Sequence, residues 1–144
     1  MKQSTQAKSL GFTLLELLVV ISVIGILIAI SAAAFTTAQQ KARNAKRQGD
    51  INAIAKSFEQ YNATNNGNYD SNCSNMYTFL PGRAAPTDPK DGSDYPCGLY
   101  GSTANTYCVC AHLEPDSNTN GNAANGSCGN LGQPGSYFCM VNQQ

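Results

Sequence analysis

Residues 8–35 read KSLGFTLLELLVVISVIGILIAISAAAF, and from Phe12 to Phe35 the only charged side chain is Glu16. As a helix this stretch spans about 36 Å at 1.5 Å per residue, enough to cross a bilayer core of about 30 Å. It is too long for the apolar part of an ordinary secretory signal, which runs about 7–15 residues. A glutamate at mid-span costs about 2.5–3.5 kcal/mol on insertion scales, less near an end, so such a residue needs a partner. A cut between Gly11 and Phe12 would create an α-amine four residues before Glu16. The same amine on a neighbouring copy could neutralise that carboxylate inside a bundle of helices.

Outward from this block, nothing stops the helix. The first proline in the chain is Pro81, and only Gly25 and Gly49 interrupt the helix formers. Past Phe35 the pattern turns amphipathic: Ile51, Ile54, Ala55, Phe58 and Tyr61 fall on one stripe, expected to pack against the rest of the chain. The helix is expected to end near Asn62, because Asn65, Asn66 and Gly67 tolerate positive φ. The result is one helix of about fifty residues at the usual helical periodicity, half apolar all round and half striped.

Beyond it the chain changes character. Thirteen of the fifteen asparagines and all six prolines lie from Asn62 onward, so turns dominate and strands must be short. Strands are predicted at Met76–Leu80, Thr106–Leu113 and Ser136–Val141, and a long surface loop from Asp116 to Gly135, held by Cys128. The remaining core is small and needs staples. All six cysteines, Cys73, Cys97, Cys108, Cys110, Cys128 and Cys139, fall in this half, which predicts disulfides made in an oxidising compartment. Of the fifteen pairings six cysteines allow, Cys73–Cys97 is expected because the two flank the first strand and loop. The other four are expected to join the Cys108/Cys110 strand to Cys128 and Cys139, in an order left open.

The formal charge is zero, so no long-range field points to nucleic acid, which is not an expected partner. Lys41, Arg43, Lys46 and Arg47 follow the apolar run without interleaved aromatics; lipid headgroups or salt bridges between subunits are the expected partners. Cys108, Cys110 and His112 alternate as on one strand face and resemble half a zinc site, but no second ligand pair has the usual spacing. Asp88, Asp91 and Asp94, with Gly92 among them, could offer oxygens to calcium, although a solvated acidic turn is the expected reading and no cofactor is otherwise implied. Asn62-Ala-Thr and Asn125-Gly-Ser have sequon form, which chance supplies in so Asn-rich a chain. No catalytic pattern is present: His112 is the single histidine, and there is no phosphate loop, nucleophile elbow or HExxH.

Taken together, Gly11, Phe12 and Glu16, with a basic leader before and an unbroken apolar helix after, resemble the prepilin motif of type IV pilins and pseudopilins. The resemblance continues more loosely through Asp50–Tyr61, Asn66-Gly67-Asn68-Tyr69, Pro86-Thr87-Asp88-Pro89, Tyr95, Tyr107–Cys110 and Leu113-Glu114. It implies that a membrane prepilin peptidase cuts after Gly11 and methylates the amine of Phe12, and that Glu16 pairs with the amino terminus of an adjacent subunit. Two departures stand out. The helix lacks the kinking proline many pilins carry, and the Cys- and Asn-rich C-terminus differs from the calcium-binding loop of major pseudopilins.

The expected architecture is therefore α+β, a disulfide-stapled pilin fold. Its long N-terminal helix, transmembrane in one half and amphipathic in the other, packs on a small antiparallel sheet. The expected segments are a leader (1–11), a transmembrane and filament-core helix (12–35), an amphipathic helix (36–62) and a small β-rich domain (63–144). The expected role is a subunit of a type IV pilus or pilus-like filament. Its partners are other copies of itself, the prepilin peptidase, an inner-membrane assembly platform and the bilayer. The expected location is the inner membrane, single-pass with the amino terminus cytoplasmic, then an extracellular or periplasmic filament. Four cations after the helix against Lys2 and Lys8 before it would give the opposite orientation by the positive-inside rule; the cysteines and the resemblance outweigh that count. Three rivals remain: a major pseudopilin of a type II secretion system, a tip or minor subunit, and a secreted disulfide-rich binding domain cut after Ala34 within Ser31-Ala32-Ala33-Ala34.

Overall fold

Helix α1 runs from Leu14 to Thr64, 51 residues without a break, in a computed structural model that describes residues 11–99, 106–114 and 121–142. The leader up to residue 10 and positions 116–120 of the expected loop lie outside the described residues. The chain divides into two units, one up to Ala38 and one from Gln39 onward. The helix continues two residues past its expected end and stops where backbone chemistry dictates: Asn66 and Gly67 take positive φ (57° and 78°). The Gly67 amide donates back to the Asn62 carbonyl at 3.0 Å, and the Asn65 side-chain amide donates to Tyr61 O at 2.8 Å. Carbonyls left over at the last turn are satisfied in this way.

In the second unit, the striped face of α1 builds the core. Ile51, Ile54 and Phe58 are fully buried, Ala55 nearly so, and Tyr61 is half-buried at the margin. Phe58 meets the Tyr107 ring edge-on at a centroid distance of 5.0 Å. Tyr107 in turn lies 4.9 Å from Tyr69 at 70°. Such edge-to-face pairs add to the burial of the rings. Ile54→Val should lower the stability of this unit by about 1 kcal/mol, read by denaturant titration of the full chain in micelles through tyrosine near-UV dichroism. An unchanged midpoint would remove the stripe from the core.

Among the described residues, five antiparallel strands complete the unit: β1 (Cys97–Leu99), β2 (Tyr107–His112), β3 (Gly121–Ala123), β4 (Leu131–Gly135) and β5 (Tyr137–Val141), in the order β1-β2-β5-β3-β4. Strand β2 uses its two-residue period fully. Tyr107, Val109 and Ala111 face the helix-side core, while Cys110, with Cys108 beside it, belongs to a second cluster with Ala123, Cys128 and Cys139. Three disulfides staple the unit: Cys73–Cys97, Cys108–Cys128 and Cys110–Cys139. Cys110 and Cys139 are direct cross-strand partners of β2 and β5.

Two sequence expectations need correction. Met76–Leu80 is not a strand. It is the end of helix α2 (Cys73–Met76) followed by a 3-10 turn at Tyr77–Phe79. Asn72 caps α2, its Oδ1 accepting from the Ser74 amide at 3.0 Å, and this local bond outweighs the β-propensity of Tyr77 and Phe79. Nor is 116–135 one long loop, since β3 and β4 lie within it. Its glycines are what let the hairpin close: a Cβ on Gly121 would run into the carbonyl of Tyr137, and one on Gly135 into that of Ala123. Composition alone reads such glycines as loop; here they mark close backbone approach.

Candidate functional site

Thr13 and Glu16 close the first turn of α1 reciprocally. The Thr13 amide and hydroxyl donate to Glu16 Oε2 at 3.0 and 2.9 Å, and the Glu16 amide donates to Thr13 Oγ1 at 3.2 Å. This is a capping box, Ser/Thr followed three residues later by Glu, satisfying amides that have no helical acceptor. The Thr-x-x-Glu spacing was readable in the sequence, where Glu16 is read as a charge in an apolar run and as a motif residue but not as part of a helix cap. Gly11 and Phe12 precede the cap, both exposed, with Phe12 at 85%.

From Leu14 to Phe35 the large apolar side chains are exposed all round, 84% at Leu14 and 63% at Phe35. The hydroxyls in this stretch do not spoil its apolar surface. Ser22 donates to Leu18 O at 2.7 Å and Ser31 to Leu27 O at 2.8 Å, so both are satisfied within the helix. Among the described residues α1 is the one helix long and apolar enough to cross a membrane. A continuous apolar surface of this extent requires lipid or protein around it.

The basic group following the apolar run has partners that the sequence reading missed. Instead of lipid or another subunit, Arg43, Lys46 and Arg47 meet carboxylates of their own unit. Arg43 makes a two-pronged bond to Glu114, Nε–Oε1 3.0 Å and Nη2–Oε2 2.7 Å. Arg47, 3% exposed, grips Asp88 at 2.6 and 2.9 Å and reaches Glu114 Oε1 at 2.8 Å. Lys46 pairs with Asp50 at 3.1 Å. Asn44 fixes the backbone beside Glu114, donating to its carbonyl at 2.6 Å and accepting from its amide at 2.9 Å. Hydrogen bonds from Arg43, then Arg47, hold the Glu114 carboxyl down to about 2, and the bond from Arg47 lowers Asp88. The available signal was the surplus of acids beyond Glu59, which need cations somewhere.

The remaining candidates serve structure. Asp88 Oδ1 also accepts from the Lys90 amide at 2.8 Å, Asp91 Oδ1 accepts from the Ser93 amide at 2.9 Å, and Asp94 bridges to Thr87. The carboxylates of Asp88 and Asp91 brace the turn, and among the described residues the clustered metal-type ligands are sulfurs of Cys108, Cys110 and Cys128. His112 lies against the Tyr137 ring, centroids 4.7 Å apart. Asn62 of the first sequon is buried.

An exposed apolar helix, opening on a capped glutamate and long and apolar enough to cross a membrane, leads into a disulfide-stapled α+β unit, and the fold is pilin-like. Residues 6–32 match the family model of the prokaryotic N-terminal methylation motif, which supports a prepilin of the type IV pilin or pseudopilin type. The match ends at residue 32, so it speaks to the processing and anchoring segment rather than to the sheet. No curated protein matches the chain. Together with the apolar helix, the motif supports membrane anchoring, prepilin-type processing and assembly into filaments.

Proposed function

We propose that this chain is the structural subunit of a type IV pilus or pilus-like filament. It is made as a prepilin, cut after Gly11 by a prepilin peptidase, N-methylated at Phe12 and polymerised through its apolar helix. The observation that carries the proposal is the exposed apolar surface of α1, opening on Glu16 within the matched segment. Residues 1–11 act as leader and 12–35 hold the precursor in the inner membrane, amino terminus inside. Residues 36–62 and 63–144 lie outside, consistent with three disulfides formed in an oxidising compartment.

After cleavage, helices leave lipid and pack together as the filament core. That exchange is nearly neutral hydrophobically, because lipid and neighbouring helices are about equally apolar. Specificity then comes from packing and from a pair between Glu16 and the Phe12 amine of an adjacent copy. A major pseudopilus of type II secretion would use the same chemistry with different machinery.

Intact-mass analysis and N-terminal sequencing of the mature chain test the proposal. They should find Phe12 first, carrying one methyl group. A chain beginning at Met1, or near Phe35 as a secreted domain would, overturns it.

A further inference from the structure

The side of α1 turned away from the core of the second unit carries a surface that its own unit leaves uncovered. Ala45, Gly49, Asn52 and Lys56 are all exposed and recur at i, i+4, i+7 and i+11, one straight stripe along the helix. Nothing within the unit requires glycine at position 49, since a Cβ there would meet no atom within 4 Å. Glycine inside a helix is destabilising relative to alanine, so this point is kept bare at a cost that the unit itself does not explain. At the end of the stripe, Lys56 has no ion pair among the described residues. Glu59, the acid nearest to it in sequence, accepts instead from the hydroxyls of Tyr69 at 3.0 Å and Tyr107 at 3.2 Å.

The complementary charge lies on the turn that follows Asp88. Asp91 and Asp94 are exposed and, among the described residues, also lack an ion pair. Lys90 beside them reaches Glu114 at 3.7 Å, and Arg83, which lines the same cleft as Asp94, does not pair with it. The turn is braced from within. The Asp88 amide donates to Ser93 O at 2.8 Å and the Gly92 amide to Asp88 O at 2.9 Å, with Gly92 at φ 75°. These two surfaces cannot meet within one chain. Arg47 anchors the turn to α1 through Asp88, and Lys56 follows Arg47 by nine residues, about two and a half helical turns, which sets it on the opposite side of the helix.

We propose that the stripe over residues 45–56 seats the 91–94 turn of a second copy of this chain, with Asp94 of that copy paired to Lys56. The inference rests on the filament reading and names a contact surface for it. The two surfaces suit each other in shape and in charge. A narrow turn with two uncompensated carboxylates meets a face of alanine and glycine that ends in an uncompensated ammonium. Because the two surfaces differ, the contact is heterologous, and such contacts generate an open helical assembly when they do not close into a ring. The zero formal charge lets copies add without accumulating repulsion.

Zero-length carbodiimide coupling of native filaments tests the contact, because it joins an ammonium to a carboxylate only where the two touch. Peptide mass spectra should show Lys56 joined to Asp94 or Asp91 in filaments, and not in the full chain held as a monomer in detergent micelles. Lys56 joined to an acid elsewhere would assign the stripe to another face of the second copy, and uncoupled Lys56 would make it a solvated face. Either result overturns the proposal, as does the same coupling in monomers. Lys56→Glu and Asp94→Lys should each lower the yield of sheared filaments about tenfold by setting like charges together. Their Tm should be unchanged, since both side chains are exposed. Combining the two substitutions should recover most of the yield. If both single variants assemble like the native chain, the contact is overturned while the filament reading stands. If cells with the unmutated protein form no filaments containing it, that reading fails and the contact fails with it.

Discussion

Glu16→Ala should enter the membrane and be cleaved like the native chain, then be left out of filaments. Insertion should be unharmed, because removing an acid from an apolar helix relieves a cost instead of adding one. The proposed cleavage junction is Gly11-Phe12, which the substitution leaves in place. Assembly is where the loss falls. If each junction in the filament core pairs one carboxylate with one buried amine, deleting one partner costs about 3–5 kcal/mol, a hundredfold or more in incorporation. The capping box offers a rival explanation, since Glu16 also accepts from the Thr13 amide and hydroxyl. Glu16→Gln separates the two, because glutamine serves in a capping box as well as glutamate but carries no charge. It should be excluded as Ala is. Filaments sheared from cells and immunoblotted against the membrane pool would decide; normal incorporation of Glu16→Gln would assign Glu16 to the helix cap alone. Gly11→Val should fail one step earlier and accumulate uncut, so its mass separates a processing defect from an assembly defect.

Much of this molecule was legible because its strongest signals are local. Helix α1 follows from an uninterrupted run of helix formers, and its end from Asn66 and Gly67, whose positive φ the structure shows. The stripe at Ile51, Ile54 and Phe58 follows from spacing alone, as do β2 and β5 from alternation and β-branched or aromatic content. Cys73 does pair with Cys97 as expected, although the segment between them opens as helix α2 and a 3-10 turn instead of the strand on which that expectation rested. Illegible features depend on distant partners or on backbone approach. Met76–Leu80 carries strand composition, but a cap from Asn72 and a core seat for Met76 turned it helical. Apart from Ala123 and Leu131, strands β3 and β4 are made of Gly, Asn, Gln and Pro, residues that a propensity scale assigns to turns, and they pair because glycines let the backbones meet. At the N-terminus the same contrast holds: the Gly11-Phe12 junction and Glu16 are motif, read directly, whereas Thr13 gains its role only when the turn forms. Arg43 and Arg47 were the largest misreading. Their acids lie 41 and 71 residues away, and no local pattern could show which charges a fold brings together.

That misread cluster sets the largest expected stability effect. Arg47→Met should destabilise the second unit by about 3 kcal/mol near neutral pH, because it strands Asp88 and removes one of two arginines from Glu114 in a poorly hydrated site. Most of the loss comes from the orphaned carboxylate rather than from the missing attraction, so adding Asp88→Asn should restore part of it. The pH dependence gives a second, independent reading. Arg43 and then Arg47 hold Glu114 down to about 2, and Arg47 lowers Asp88, both below the ordinary unfolded values near 4. A carboxylate depressed in the folded state contributes its stability in full above its unfolded value and loses it as pH falls through the folded one. The native unit should therefore keep a level Tm from about pH 8 to 5 and lose it progressively from about 5 to 2. In Arg47→Met the two carboxyls titrate closer to their unfolded values, so the acid limb should be shallower and the gap to the native protein should narrow as pH drops. Thermal melts of the full chain in micelles at a series of pH values measure both effects. A native-like acid limb in Arg47→Met would mean that Asp88 and Glu114 owe their depressed ionisation to something other than this arginine.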